Sequence, residues 1–228
     1  MLINDYCLRN IMDSFLKQFK QILITAMVML FIAPVIAQIK HPTPAPAKHP
    51  QSSQQKEFFR LAAQANVKFI YPNGFREIKA PKDEDFSFDY ALELPGKAFE
   101  IWFRIKSEKA DWASYERAQN APNTQQANPD SAYNDLAKTY ATAFTGDQKY
   151  FVTIIPHDVL ARYNADAGKS YLLTLLDLPE TKSYKYALLI TLQKNHTGTI
   201  LAVCFTNDKG PEFFKNINKA GNCLKFKS

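Results

Sequence analysis

Residues 183–208 read SYKYALLITLQK, then NHTG at 195–198, then TILAVCFTND. Two runs rich in β-branched and aromatic residues flank a short polar turn that contains Gly198, which is the pattern of a β-hairpin. Apolar side chains fall on both faces of the two runs. Because strands that are apolar on both faces need cover on both sides, we expect this hairpin to lie in the middle of a sheet.

Residues 86–106 predict a second hairpin, with its turn at 95–97. Apolar and polar side chains alternate cleanly along both of its arms. This alternation predicts an antiparallel pair with one face on the core and the other towards solvent. Trp102 falls on the polar face, where it is either an exposed anchor for a partner or is covered by a helix or loop.

The remaining elements alternate between helices and short strands. Asn128 and Pro129 are typical of a helix start, and Gly146 is typical of a helix end. Helices are predicted at 56–66, 129–146, 156–163 and 211–219, a strand, a turn and a second strand at 69–75, and further strands at 150–155, 170–178 and 223–227. Hairpins dominate and lack crossover helices, so the sequence predicts the α+β class, a mainly antiparallel β-sheet with helices packed against it.

The start of the chain has the pattern of a secretory signal peptide. Residues 22–36 form an apolar run of 15 positions that only Thr25 interrupts, with lysines before it and small residues near its end. This pattern predicts a signal peptide over 1–37, with cleavage between Ala37 and Gln38 and a true start at Met1 or Met12. A membrane anchor is the alternative, but a spanning helix needs about 20 apolar residues. We therefore expect a periplasmic or secreted protein that meets the membrane only during export.

Residues 38–55 are rich in proline and glutamine and have no apolar face, which predicts a disordered linker. Residues 56–228 are then long enough for a single domain. The whole chain carries a net charge of +6, which falls to +5 (25 basic and 20 acidic residues) without residues 1–37. Its lysines are scattered, so the sequence does not predict a nucleic-acid partner.

The stretch Phe-Ile-Tyr-Pro-Asn-Gly-Phe at 69–75 follows a short predicted helix. It resembles the aromatic-Pro-x-Gly-aromatic start of PsbP-like domains. The resemblance covers about seven residues and implies an antiparallel sheet with a C-terminal helix. It also implies a small secreted or periplasmic protein that acts in binding or assembly, without catalysis.

Motifs for common cofactors and metals are incomplete. Gly168-Lys169-Ser170 looks like the end of a phosphate-binding loop, but Tyr163 stands where that motif requires glycine. Acidic residues cluster in a predicted loop, where a solvated surface and a weak cation site are both open interpretations; they are Asp83, Glu84, Asp85 and Asp89. We therefore expect neither a cofactor nor a metal.

Cys204 and Cys223 are the cysteines that remain after removal of the signal peptide. An oxidising compartment favours a disulfide between them. Such a bond would close a loop of about 19 residues and contribute ~3 kcal/mol by chain entropy. The alternative is two buried free thiols, because cysteine also packs well as a small apolar residue.

Two functional hypotheses follow. The first is a non-catalytic binding or assembly module for an unknown protein or envelope component, with Trp102 and Trp112 as anchors. The second is a hydrolase whose site is assembled from residues distant in sequence. His157 and His196 are the histidines of residues 56–228, and neither lies in a recognisable catalytic motif. A deep pocket that joins one of them to a carboxylate would favour the hydrolase.

Overall fold

The computed structural model describes residues 51–82, 86–119, 126–147 and 150–228. Its helices are α1 (Ser53–Gln64), α2 (Lys109–Gln119), α3 (Ala132–Thr145), α4 (His157–Arg162) and α5 (Pro211–Ala220). Its strands are β1 (Val67–Phe69), β2 (Arg76–Ile78), β3 (Tyr90–Glu93), β4 (Phe99–Ser107), β5 (Phe151–Ile154), β6 (Ala167–Thr174), β7 (Tyr186–Lys194), β8 (Gly198–Thr206) and β9 (Leu224–Phe226). Two short 3-10 turns lie at Pro129–Ser131 and Pro179–Thr181. The predicted signal peptide, and residues 38–50 of the predicted linker, lie outside the described residues.

Seven strands form one antiparallel sheet in the order β2-β3-β4-β8-β7-β6-β5, and β1 pairs with β9 separately. The hairpin of residues 183–208 is confirmed as β7 and β8, which lie inside the sheet. Its turn places His196 at a φ of +58°. The predicted α+β class is confirmed, because helices pack against both faces of this sheet.

The first face of the sheet is covered by α1, α5 and the β1–β9 pair. Phe58 of α1 stacks on Tyr90 of β3, with ring centroids 4.7 Å apart. Phe213 of α5 contacts Phe99 of β4 edge-to-face. Burying such aromatic rings contributes most of the apolar area of a core, so these contacts fix the two helices on the sheet.

The second face is covered by α3, which presents Tyr140 and Phe144 to the sheet. Gly146 ends α3 in the left-handed conformation, with a φ of +71°, as the sequence predicts. Both faces of β4 are buried, so the prediction that one face of this hairpin points to solvent is wrong. The polar residues of that face have partners from distant parts of the chain. Arg104 donates to the Tyr140 hydroxyl, and Glu100 accepts from Lys182.

Two helices differ from the predictions. Helix α1 begins at Ser53 rather than at residue 56, because the Ser52 hydroxyl accepts a hydrogen bond from the Gln55 N–H at 2.9 Å. The last residues of the predicted linker are therefore helical. Helix α2 is not predicted by the sequence pattern, and none of its described residues is fully buried. Within the described ranges, every helix is too short or too polar to cross a membrane.

Candidate binding site

Trp102 is fully buried beneath α3. Of the two positions that the sequence allows, exposed or covered by a helix or loop, the structure shows the covered one. Its ring contacts Phe88 and Phe205, and its indole N–H donates to the Glu100 carboxylate at 2.8 Å. Lys182 donates to the same carboxylate at 2.9 Å. A partner cannot reach this side chain, so Trp102 is not available as a surface anchor in this conformation.

Trp112 of α2 is half-buried and stacks on the ring of His196, with centroids 3.8 Å apart. Its indole N–H donates to Asp130 at 2.9 Å, and the same carboxylate oxygen accepts the backbone N–H of His196 at 2.9 Å. These contacts dock α2 on the turn between β7 and β8. The ring and the N–H of Trp112 therefore both contact residues of the same chain, which leaves little of this side chain to bind a partner.

Beneath this aromatic pair lies a buried polar network. Glu108 and Thr199 are buried, and their side-chain oxygens are 2.6 Å apart. Gln193 donates to Glu108 at 2.7 Å and to Asp130 at 3.1 Å. Burial raises the pKa of the Glu108 carboxyl, while the hydrogen bonds from Thr199 and Gln193 oppose that rise. Glu108, Gln193 and Thr199 are buried, whereas Asp130 connects them to the partly exposed rim of the network.

Neither histidine has the surroundings of a catalytic base. The His196 side chain is 64 % exposed, and its Nε2 lies 3.8 Å from the Asp130 carboxylate. His157 is exposed at the start of α4. Among the hydrogen bonds of the described residues, none joins either histidine side chain to a serine, threonine or cysteine. Within the part of the chain that the structure describes, neither histidine side chain is therefore paired with a nucleophile.

Cys204 and Cys223 are both buried free thiols, so the predicted disulfide is not formed. Burial raises the pKa of both thiols, that of Cys223 to about 12. Because the thiolate is the form that oxidises, these thiols are poor partners for disulfide exchange. Both side chains line an apolar cavity of about 60 Å³ between the sheet and α5. Ligand pockets are usually ~300 Å³ or more, so this cavity is too small for an ordinary small-molecule ligand.

A second, larger cleft of about 420 Å³ lies along the β6–β7 connection. Seven residues of that connection line it: Thr174, Leu175, Asp177, Ser183, Tyr184, Lys185 and Tyr186. The cleft contains neither histidine nor cysteine. Over the described ranges, no three side chains of the metal-binding types converge on a possible metal site. The predicted acidic run at 83–85 lies outside those ranges, and Asp89 accepts a backbone hydrogen bond from Ile105 at 2.7 Å.

The surface that stands out is β5, at one edge of the sheet. All four of its residues are exposed, although three of them are apolar. Phe151 is 70 % exposed and Ile154 is 73 % exposed. The register places Val152 and Ile154 on the face that α3 covers elsewhere, and Phe151 and Thr153 on the other face. Apolar side chains therefore project from both faces of an edge strand.

The backbone of β5 is open as well. Ile155 donates its N–H to the Gly168 carbonyl of β6 at 3.0 Å. Because hydrogen-bonded and non-bonded residues alternate in an antiparallel pair, Thr153 and Phe151 also bond to β6. The N–H and C=O groups of Val152 and Ile154 then point away from the sheet. These groups form a template for one more strand.

The opposite edge of the sheet is closed. The Gln54 side chain of α1 donates to the Ile78 carbonyl of β2 at 2.9 Å and accepts the Ala80 N–H at 2.9 Å. Arg76 of β2 forms an ion pair with Glu93 of β3. Side-chain cover and charge are two ways in which proteins protect an edge from further pairing. At β2 the edge has both side-chain cover and charge. At β5 the described residues provide neither cover nor charge.

The sequence predicts the strand at 150–155 but not its exposure. A short apolar run with β-branched residues has the composition of a buried strand. The only local signal against a central position is Pro156, directly after the run, because proline cannot donate to a ladder.

In comparisons with known proteins, no family model and no curated protein matches the chain.

Proposed function

We propose that the protein is a non-catalytic binding or assembly module of the periplasm or the secreted fraction, and that partners join it at β5. One observation carries this proposal: among the described residues, β5 is an edge strand without cover, and it has exposed apolar side chains on both faces. In β-strand addition, backbone hydrogen bonds provide affinity and alternate side chains provide specificity. At β5 the outward backbone groups of Val152 and Ile154 would provide the affinity. The side chains of Phe151 and Ile154 would provide the specificity.

The chemistry of the remaining surface supports binding over catalysis. The histidines lie apart from any paired nucleophile, and the small apolar cavity is part of the core. The resemblance of residues 69–75 to PsbP-like domains points in the same direction, since such domains act mostly in binding and assembly. The predicted signal peptide of residues 1–37 supports a site of binding outside the cytoplasm.

The proposal is tested by site-specific photo-crosslinking in cells that produce the full chain. A photoreactive phenylalanine analogue replaces Phe151 in one strain and Phe214 in a control strain. Phe214 is a suitable control because it is 50 % exposed on α5, a helix that contacts β4, four strands away from β5. We expect discrete adducts of higher mass at position 151 and not at 214. Equal labelling at both positions, or no adduct at 151, would contradict binding at β5.

Export is tested on the same material. N-terminal sequencing of the protein from the periplasm or medium is expected to begin at Gln38. A chain that keeps residues 22–36 and fractionates with the membrane would show that the apolar run is an anchor.

A further inference from the structure

We infer that the occupant of the β5 edge is a second copy of this chain, paired antiparallel through β5 about a two-fold axis at Thr153. This inference rests on the proposed function, because it names the partner of the same edge. The result would be one continuous sheet with seven strands from each copy.

The first support is the chemistry of the strand itself. Residues 150–156 read YFVTIIP and carry no charged side chain. A two-fold axis brings the strand close to the same short stretch of its copy, so a lysine or glutamate near the axis would lie close to the like charge of the copy. The β2 edge would face this problem, because Arg76 and Glu77 lie in that strand.

The second support is a register that satisfies backbone and side chains together. The outward groups belong to Val152 and Ile154, so these residues must form the hydrogen-bonded pairs of a new ladder. With the axis at Thr153, Val152 pairs with Ile154 of the partner subunit, and the reverse pair forms by symmetry. Apolar β-branched pairs across strands stabilise a sheet.

The alternative registers fit less well. An axis at Val152 would oppose Phe151 to Thr153 of the partner subunit, an aromatic ring against a hydroxyl. An axis at Ile154 would bring Val152 opposite Pro156 of the partner subunit, which has no N–H to donate. The axis at Thr153 also pairs the two threonines, a combination that occurs naturally across strands.

The pairing is short, so the dimer is expected to be weak. Four residues on each side bury far less than the ~1,200 Å² typical of stable complexes. We therefore expect a dissociation constant in the micromolar range or weaker, about 1 μM to 1 mM. The exchange between monomer and dimer should be visible by sedimentation at different protein concentrations.

Cysteine scanning tests the register. Thr153→Cys places two thiols at a non-hydrogen-bonded antiparallel pair, where Cα atoms are about 4.5 Å apart, a separation that a disulfide accepts. We expect Thr153→Cys to form a covalent dimer under mild oxidation, at least tenfold more than Val152→Cys. The native Cys204 and Cys223 are buried, so the unmodified exported protein serves as the control.

Proline substitution tests the hydrogen bonds. Val152→Pro removes an outward N–H and leaves the bonds between β5 and β6, which use the other residues. We expect the dimer fraction to fall at least tenfold while the circular dichroism spectrum is unchanged. Ile154→Lys keeps the backbone N–H and adds a charge to the edge. If the proline variant does not fold, Ile154→Lys tests whether the dimer forms through β5, because this variant should also abolish the dimer.

The outcomes separate this inference from the proposed function. A wild-type protein that stays monomeric at about 1 mM, with adducts of another protein at position 151, overturns self-pairing and leaves binding at β5 intact. A monomer without any adduct at 151 overturns both. Equal disulfide formation by Thr153→Cys and Val152→Cys also contradicts the inferred register.

Discussion

Thr199 Oγ1 lies 2.6 Å from Glu108 Oε1 and 2.6 Å from Gln193 Oε1, inside the protein. A hydroxyl has one hydrogen and can donate it to only one of these two acceptors. The other contact needs a proton from elsewhere, and the amide oxygen of Gln193 carries none. When Glu108 binds a proton, it can donate that proton to Thr199, which then donates to Gln193. The raised pKa of the Glu108 carboxyl agrees with this assignment.

The first prediction concerns Glu108→Gln, in which the neutral amide can donate to Thr199 and accept from Gln193. A carboxyl whose pKa is raised by folding binds its proton more tightly in the folded state. Its contribution to stability is therefore present at low pH and is lost as the pH rises through the folded pKa. Glu108→Gln escapes this loss.

We expect Glu108→Gln to unfold in urea at a midpoint near that of the wild type at pH 4, and at a higher midpoint at pH 8. Thr199→Val, which removes the hydroxyl at similar volume, should destabilise the protein by about 1–3 kcal/mol at both pH values. If Glu108→Gln were destabilising by a similar amount at pH 8, Glu108 would be ionised in the folded protein and the assignment would be wrong.

The second prediction concerns the cysteines. Because Cys204 and Cys223 are buried thiols with raised pKa values, they should resist alkylation in the folded protein and react when it is unfolded. The measurement is alkylation of the exported protein without reductant, before and after denaturant, followed by peptide mass mapping. Label on both residues only in denaturant is expected. Protection that persists in denaturant until a reductant is added would reveal a disulfide.

The third prediction concerns Trp112, which the sequence analysis predicts to be a binding anchor. Trp112→Ala removes the stacking on His196 and leaves Asp130 with one donor fewer. We expect a loss of about 1–3 kcal/mol in the free energy of unfolding and faster hydrogen exchange in α2. The adducts at position 151 should be unchanged. Loss of these adducts in a folded Trp112→Ala protein would give Trp112 the anchoring role that the sequence predicts.

Hairpins and helix ends were predictable because their signals are local. The turn at 195–198 and the left-handed Gly146 each depend on a few neighbouring residues. Trp102 was different, because its cover comes from α3 and its N–H partner Glu100 is held by Lys182, 82 positions away. The exposure of β5 depends on the strand order of the whole sheet. Neither the burial of Trp102 nor the exposure of β5 can be predicted from the neighbouring residues in the sequence.

Hydrogen exchange of the β5 amides tests whether this edge is open for a partner. In dilute protein we expect the amides of Val152 and Ile154 to exchange at least about tenfold faster than those of Thr153 and Ile155, which bond to β6. On binding, or at high protein concentration, the two fast amides should become protected. Protection of Val152 and Ile154 already in the dilute monomer would mean that the chain covers its own edge, and would contradict partner binding at β5.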